Sequence, residues 1–119
     1  MSLFQWLKNT GVGFQQPAIP IPESPDKPPI RRRYRFYGHV QGVGFRYEAI
    51  RIASRLSLVG WVKNKYDGSV VIEIEDPSNY IDSFMMAIRT VPRFDITEIK
   101  MEYLPVLGTE TTFKLLYGT

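Results

Sequence analysis

The sequence predicts an α+β sandwich in which two helices pack on one face of an antiparallel sheet. Apolar residues alternate with polar ones in residues 32–38 and 69–75, as they do in half-buried strands. In residues 45–56 and 81–88 apolar residues recur every three or four positions, as they do on one face of a helix. These segments alternate along a chain of 119 residues, a length typical of one domain.

The first predicted strand leads through a glycine-rich loop into a helix. Tyr34 and Phe36 share one face of the strand, and we expect the run Arg31–Arg35 to form a solvated strand edge. The helix is predicted to begin at Phe45, because its apolar stripe consists of Phe45, Ala49, Ile52 and Leu56.

Two strands joined by a hairpin follow, at residues 61–65 and 69–75. Between them Asp67-Gly68 favours a tight turn, since glycine accepts a positive φ freely. On the second of these strands Glu73 and Glu75 lie opposite the apolar face, which carries Val70, Ile72 and Ile74.

A second helix and two strands complete the domain. Asp76 is predicted as the N-cap of this helix and Pro77 as its first residue, and Pro92 ends it. Strands are predicted at residues 96–103 and 111–117. The order βαββαβ, with the short strand at the end, is the split βαβ pattern of ferredoxin-like folds. Such folds host many unrelated functions, so the order alone decides little.

The chain divides near residue 30. Six of its nine prolines lie in residues 17–29, and proline is excluded from helix interiors and central strands. We therefore expect residues 1–30 to be a flexible proline-rich extension and residues 31–119 to be the folded domain. One alternative stays open, in which the apolar cluster of Phe4, Trp6 and Leu7 docks on the domain or on a second subunit.

Composition excludes several kinds of site. The chain has no cysteine and one histidine, His39, which excludes disulfides, thiolate nucleophiles and metal centres built from cysteine or several histidines. No apolar run approaches the roughly 20 residues that span a bilayer, and no targeting segment is recognisable. We expect a cytoplasmic monomer with no membrane partner.

Residues 38–46 carry the clearest functional signal. Three glycines allow the backbone to curl so that successive amides point inward and bind an anion, and the helix N-terminus adds its positive dipole end. Arg46, in the first helical turn, can grip two phosphate oxygens. The predicted phosphate site comprises Gly38, His39, Val40, Gln41, Gly42, Val43, Gly44, Phe45 and Arg46.

The charge distribution agrees with an anionic ligand. Residues 31–60 contain seven arginines and one acidic residue, Glu48, although the formal net charge of the whole chain is only +3. The loop lacks the Lys-Ser/Thr ending of a nucleotide P-loop, so ATP or GTP chemistry is not expected.

Two segments resemble the acylphosphatase family. GHVQGVGFR at 38–46 is similar to the family signature GxVQGVxFR. GWVKN at 60–64, followed by the DG turn at 67–68, is similar to its second block, GWVxN, and the distance between the blocks also fits. The resemblance covers residues 31–119, whereas residues 1–30 have no counterpart.

The resemblance implies an enzyme that hydrolyses the carboxyl–phosphate anhydride bond of acyl phosphates without a metal or a cofactor. The products are a carboxylate and inorganic phosphate. By position, Arg46 is implied to bind phosphate together with the loop amides, and Asn64 to orient the attacking water. Lys65 departs from the family, in which Thr or Ser often follows this Asn.

Two other functions remain open. The basic third of the chain and the βαββαβ order invite comparison with RNA-recognition modules, although GVGFRY at 42–47 leads into a helix rather than lying on a central strand. The second open function is that of a non-catalytic domain that binds phosphate or another anion. Our preferred interpretation has small acyl phosphates and inorganic phosphate as partners and no nucleic acid.

Overall fold

The computed structural model describes residues 19–23 and 27–118, and it confirms the predicted α+β order. The expectations for Phe4, Trp6 and Leu7 lie outside these residues. The elements are β1 (Ile30–His39), α1 (Phe45–Arg55), β2 (Val59–Asn64), β3 (Val70–Asp76), α2 (Ser78–Arg89), β4 (Asp95–Leu104) and β5 (Phe113–Leu116).

The five strands form one sheet in the order β4-β1-β3-β2-β5. The pairs β1–β3, β1–β4 and β2–β3 are antiparallel, as predicted for the sheet as a whole. The edge pair β2–β5 is parallel, because the chain crosses from one edge of the sheet to the other after β4. This crossing brings the carboxyl ends of β2 and β5 to the same end of the molecule.

The hydrophobic core lies between the helices and one face of the sheet. Phe36 of β1 contacts Phe45 of α1 with ring centroids 4.9 Å apart, and Phe45 contacts Phe94 at 4.8 Å. The predicted stripe of α1 is buried, and so are Ile81, Phe84 and Ile88 of α2. Ile19, which precedes β1 in the chain, packs against this core while remaining partly exposed.

The N-cap prediction for Asp76 is wrong. Asp76 is the last residue of β3, where it pairs with Ile30, and its carboxylate accepts a hydrogen bond from the Val59 amide at 3.0 Å. Pro77 is the N-cap, and α2 begins at Ser78. Burial raises the pKa of Asp76 above its ordinary value, against the effect of the Val59 hydrogen bond.

The expected solvated edge at Arg31–Arg35 is wrong for Arg31, whose exposed fraction is 1%. β1 is an inner strand, and its register places Arg31 opposite Glu75. Arg31 Nε donates to Glu73 Oε1 at 2.8 Å, and Arg31 Nη1 donates to Glu75 Oε1 at 3.2 Å. Glu110, from the segment between β4 and β5, also accepts from Arg31. The sheet face opposite the helices therefore holds a buried ionic cluster.

Within the part of the chain that the structure describes, neither helix combines the length and the apolar character needed to cross a membrane.

Candidate active site

The glycine-rich loop joins β1 to α1 and enters the helix through Gly44. Gly42 has a φ of +75° and Gly44 a φ of +81°, a left-handed conformation that side chains disfavour. The Gly44 carbonyl accepts from the Glu48 amide at 3.0 Å and starts the helix. Among the described residues, the amides of residues 41–46 donate no hydrogen bond. These donors remain available at the positive end of α1.

The structure divides the predicted loop residues into three groups. Gly38 and His39 belong to β1 and pair with β4, and a Cβ on Gly38 would lie 2.0 Å from the Asp95 carbonyl oxygen. The side chains of Val40 and Phe45 are buried in the core and anchor both ends of the loop. Residues 41–44 lie between these anchors. The His39 side chain is exposed at the end of β1.

Gln41 ties the loop to the β2–β3 hairpin. Its Nε2 donates to the Lys65 carbonyl at 2.7 Å and to the Ser69 carbonyl at 2.8 Å. The predicted turn at Asp67-Gly68 is present, with the Lys65 amide bonded to the Ser69 carbonyl. Hydrogen bonds from Ser69 lower the pKa of Asp67 below its ordinary value. The Gln41 side chain thus places the loop against the residue that follows Asn64.

Asn64 is the last residue of β2, next to this contact. Its Oδ1 is buried and has no hydrogen-bond partner among the described residues. A buried carbonyl oxygen without a donor costs about 1–3 kcal/mol, so such an atom needs an explanation. A bound water or a substrate group would supply the missing donor.

Arg46 is half-buried in the first turn of α1, and its guanidinium carbon lies 5.8 Å from the centroid of the Tyr117 ring. Tyr117 follows β5, whose parallel pairing with β2 places Leu116 opposite Lys63. The two residues singled out by the sequence, Arg46 and Asn64, therefore lie on neighbouring elements at one end of the molecule. Lys65, the departure from the family pattern, is half-buried beside them.

Three contacts at the site were missed from the sequence: the Gln41 side chain, Tyr117 and Arg93. Arg93 Nε donates to the Val43 carbonyl at 2.8 Å, across 50 residues of sequence. The glycine-rich motif suggested amides and Arg46, but nothing local marked these three partners. Among residues 19–23 and 27–118, no group of three or more His, Asp or Glu side chains could hold a metal ion.

Fold and site together define a ferredoxin-like α+β protein with an amide-lined loop suited to an anion. Residues 32–115 match the family model of the acylphosphatases. An acylphosphatase of Moorella thermoacetica is 40% identical over 87 residues, which cover 72% of this chain and 92% of that protein. An acylphosphatase of Clostridium beijerinckii is 42% identical over 81 residues, covering 67% and 90%.

A solved structure agrees with these relatives. The crystal structure of the acylphosphatase from Bacillus subtilis matches with a TM-score of 0.69 and 37% identity, covering 74% of this chain and 99% of that one. The chain belongs to the acylphosphatase family, which confirms the resemblance seen in its motifs. It is an acid-anhydride hydrolase that acts on acyl phosphates, and the comparisons do not favour the RNA-binding or non-catalytic alternatives.

Proposed function

We propose that the amides of residues 41–46 and the Arg46 guanidinium hold the phosphoryl group of the acyl phosphate. Among the described residues these amides donate no hydrogen bond, and they lie in the loop that leads into the N-terminus of α1, which supports the proposal. Arg46 adds a planar fork that matches two phosphoryl oxygens. The start of the loop is fixed by the residues before it. Gly38 and His39 end β1 and pair with β4, and the buried side chain of Val40 anchors the chain in the core.

We propose that Asn64 orients the attacking water. The observation that carries this role is the buried Oδ1 of Asn64, which lacks a partner among the described residues. A water that donates to this oxygen directs its lone pair toward a phosphorus held by the neighbouring loop. Orientation of this kind contributes strongly to rate, because the reacting atoms must meet in line.

The reaction needs no acid or nucleophile from the protein. The water oxygen forms a bond to phosphorus while the bond between phosphorus and the carboxyl oxygen breaks. One water proton stays on the new hydroxyl and the other passes to a phosphoryl oxygen, so the products are a carboxylate and dihydrogen phosphate. Arg46 and the amides stabilise the charge on the equatorial oxygens, which is the main requirement of phosphoryl transfer.

The test is hydrolysis of benzoyl phosphate in the presence of a chelator. We expect Arg46→Ala and Asn64→Ala each to lower kcat/KM by at least about a hundredfold, the effect of losing one strong transition-state interaction. Arg55→Ala is the matched control, since Arg55 is exposed at the far end of α1. Wild-type rates in a folded Arg46→Ala or Asn64→Ala variant would exclude the assigned role of that residue.

We also propose that the protein is a cytoplasmic monomer whose folded domain spans residues 31–119, with residues 1–30 as an extension. The family match begins at residue 32, one residue after the proposed start of the domain, and β1 begins at Ile30, one residue before it, so both lie close to the proposed boundary. Sedimentation equilibrium tests the monomer, and fractionation of cells tests the compartment.

A further inference from the structure

We infer that Arg93 is a positioning residue for the phosphate loop, a role that rests on the proposed phosphate site. Arg93 lies between α2 and β4, far from the loop in sequence. Its Nε donates to the Val43 carbonyl at 2.8 Å. This is a direct side-chain contact to the backbone of the loop, made from outside the two sequence motifs.

The contact fixes the orientation of one loop amide. In a trans peptide the C=O and the following N–H point in opposite directions across a rigid plane. Because Arg93 holds the Val43 carbonyl, the Gly44 amide of the same peptide points away from Arg93. Gly44 is the N-cap of α1, so this amide lies where a phosphoryl group would meet the helix.

Arg93 is itself held by two further neighbours, Glu48 and Phe94. Its Nη2 lies 3.3 Å from Glu48 Oε1, while Glu48 Oε2 accepts from Arg51 at 3.0 Å. The Arg93 guanidinium also lies over the Phe94 ring, 4.8 Å from its centroid, and Phe94 packs on Phe45. The guanidinium is therefore fixed against both the start of α1 and the core.

The absence of a side chain at Gly44 leaves room for the Arg93 guanidinium beside the loop. A Cβ at Gly44 would lie 3.3 Å from Arg93 Nη2, a closer approach than most side-chain carbons show. The Arg93 side chain is 44% exposed, so its role at the loop can be removed without opening a cavity in the core.

The test combines kinetics with titration of inorganic phosphate followed by amide NMR. We expect Arg93→Met to raise KM for benzoyl phosphate and Kd for phosphate by roughly tenfold, the effect of losing one hydrogen bond to a charged group. The phosphate-induced shift of the Gly44 amide should shrink, while that of the Gly42 amide persists. Arg93→Lys, which keeps a donor, should restore part of the affinity.

Arg89→Met is the matched control, since Arg89 is an exposed arginine in the last turn of α2. An unchanged Gly44 shift and Kd in a folded Arg93→Met variant would overturn the positioning role. If phosphate shifts no loop amide even in the wild-type protein, the proposed phosphate site fails, and the role of Arg93 fails with it. Equal weakening by Arg89→Met would show a general charge effect and would also overturn the inference.

Discussion

Tyr117 gives Arg46 a second neighbour besides the phosphate loop. Its ring lies 5.8 Å from the guanidinium carbon, within the range of a cation–π contact, and its own exposed fraction is 80%. At an exposed site such a contact contributes about 0.5–1 kcal/mol. A ring at this distance restricts the directions in which the guanidinium can point, and this would lower the entropic cost of binding phosphate at the proposed site.

Tyr117→Ala should therefore raise KM for benzoyl phosphate by roughly two- to fivefold and leave kcat nearly unchanged. Tyr117→Phe keeps the ring and should behave as the wild type. Tyr103→Ala is a matched control, because Tyr103 is an exposed tyrosine on β4 whose ring faces Arg32. Steady-state kinetics of the three variants checks this, and an unchanged KM in Tyr117→Ala would show that the ring does not restrict Arg46.

At the scale of elements, Gln41 connects the loop to the β2–β3 hairpin through two carbonyl groups. Both carbonyls also accept a backbone amide: Lys65 O from Gly68, and Ser69 O from Lys65. Removing the Gln41 amide group therefore leaves neither carbonyl without a donor. Removing this amide group should therefore change the stability little. It should have a larger effect on the position of Asn64 relative to the loop.

Gln41→Leu should lower the free energy of unfolding by only about 1 kcal/mol and lower kcat by tenfold or more, since a misplacement of about 1 Å can cost about a hundredfold in rate. Asp67→Ala offers the converse control. It removes the bonds to Ser69 within the turn but leaves the contacts of Gln41, so stability should fall with little change in kcat. Urea unfolding and benzoyl phosphate kinetics measure both, and a normal kcat in Gln41→Leu would contradict the argument.

The elements were predictable where the signal is local. The stripes of α1 and α2 and the alternation in β1 depend on residues a few positions apart, and all three elements lie where the pattern placed them. The cap of α2 was not predictable, because Asp76 is retained in β3 by pairing with Ile30 and by the Val59 amide. The parallel pairing of β5 was also missed, since strand direction at an edge depends on where the chain crosses.

The same division holds for the candidate site. The glycine-rich loop, Arg46 and Asn64 lie in short motifs, so sequence alone could single them out. The partners of these residues are distant in sequence: Gln41 reaches the carbonyl of Ser69 over 28 residues and Arg93 reaches Val43 over 50. A single sequence carries no periodicity that would mark such pairs.

The whole molecule has two faces of opposite character. The helix-covered face holds the apolar core, and the loop and Asn64 lie at one end of it. The other face holds the buried ionic cluster, in which Arg31 donates to Glu75. Glu75 also accepts from the Leu107 amide at 2.7 Å and the Gly108 amide at 2.9 Å, and these contacts hold the segment between β4 and β5 on the sheet.

Because of this cluster, the free energy of unfolding should depend on pH in the acidic range. Burial alone would raise the pKa of Glu75, but the hydrogen bonds from Leu107, Gly108 and Arg31 outweigh it and lower the pKa below the ordinary 4.5. A carboxyl whose folded pKa is lowered stabilises the fold above its unfolded pKa, and this contribution is lost as pH falls through the folded pKa. Asp76 acts in the opposite sense, because its raised pKa costs stability as pH rises.

Glu75→Gln should lower the free energy of unfolding at pH 7 by about 1–3 kcal/mol, because an amide offers one acceptor oxygen where the carboxylate offers two. The difference from the wild type should narrow as the pH falls below the ordinary 4.5, because the wild-type carboxyl then takes up its proton at its lowered pKa. Glu98→Gln is the control, since Glu98 is exposed on β4 and should follow the wild type throughout. Urea unfolding across this range measures the difference. A gap that stays constant with pH would contradict a stabilising contribution from the charge of Glu75.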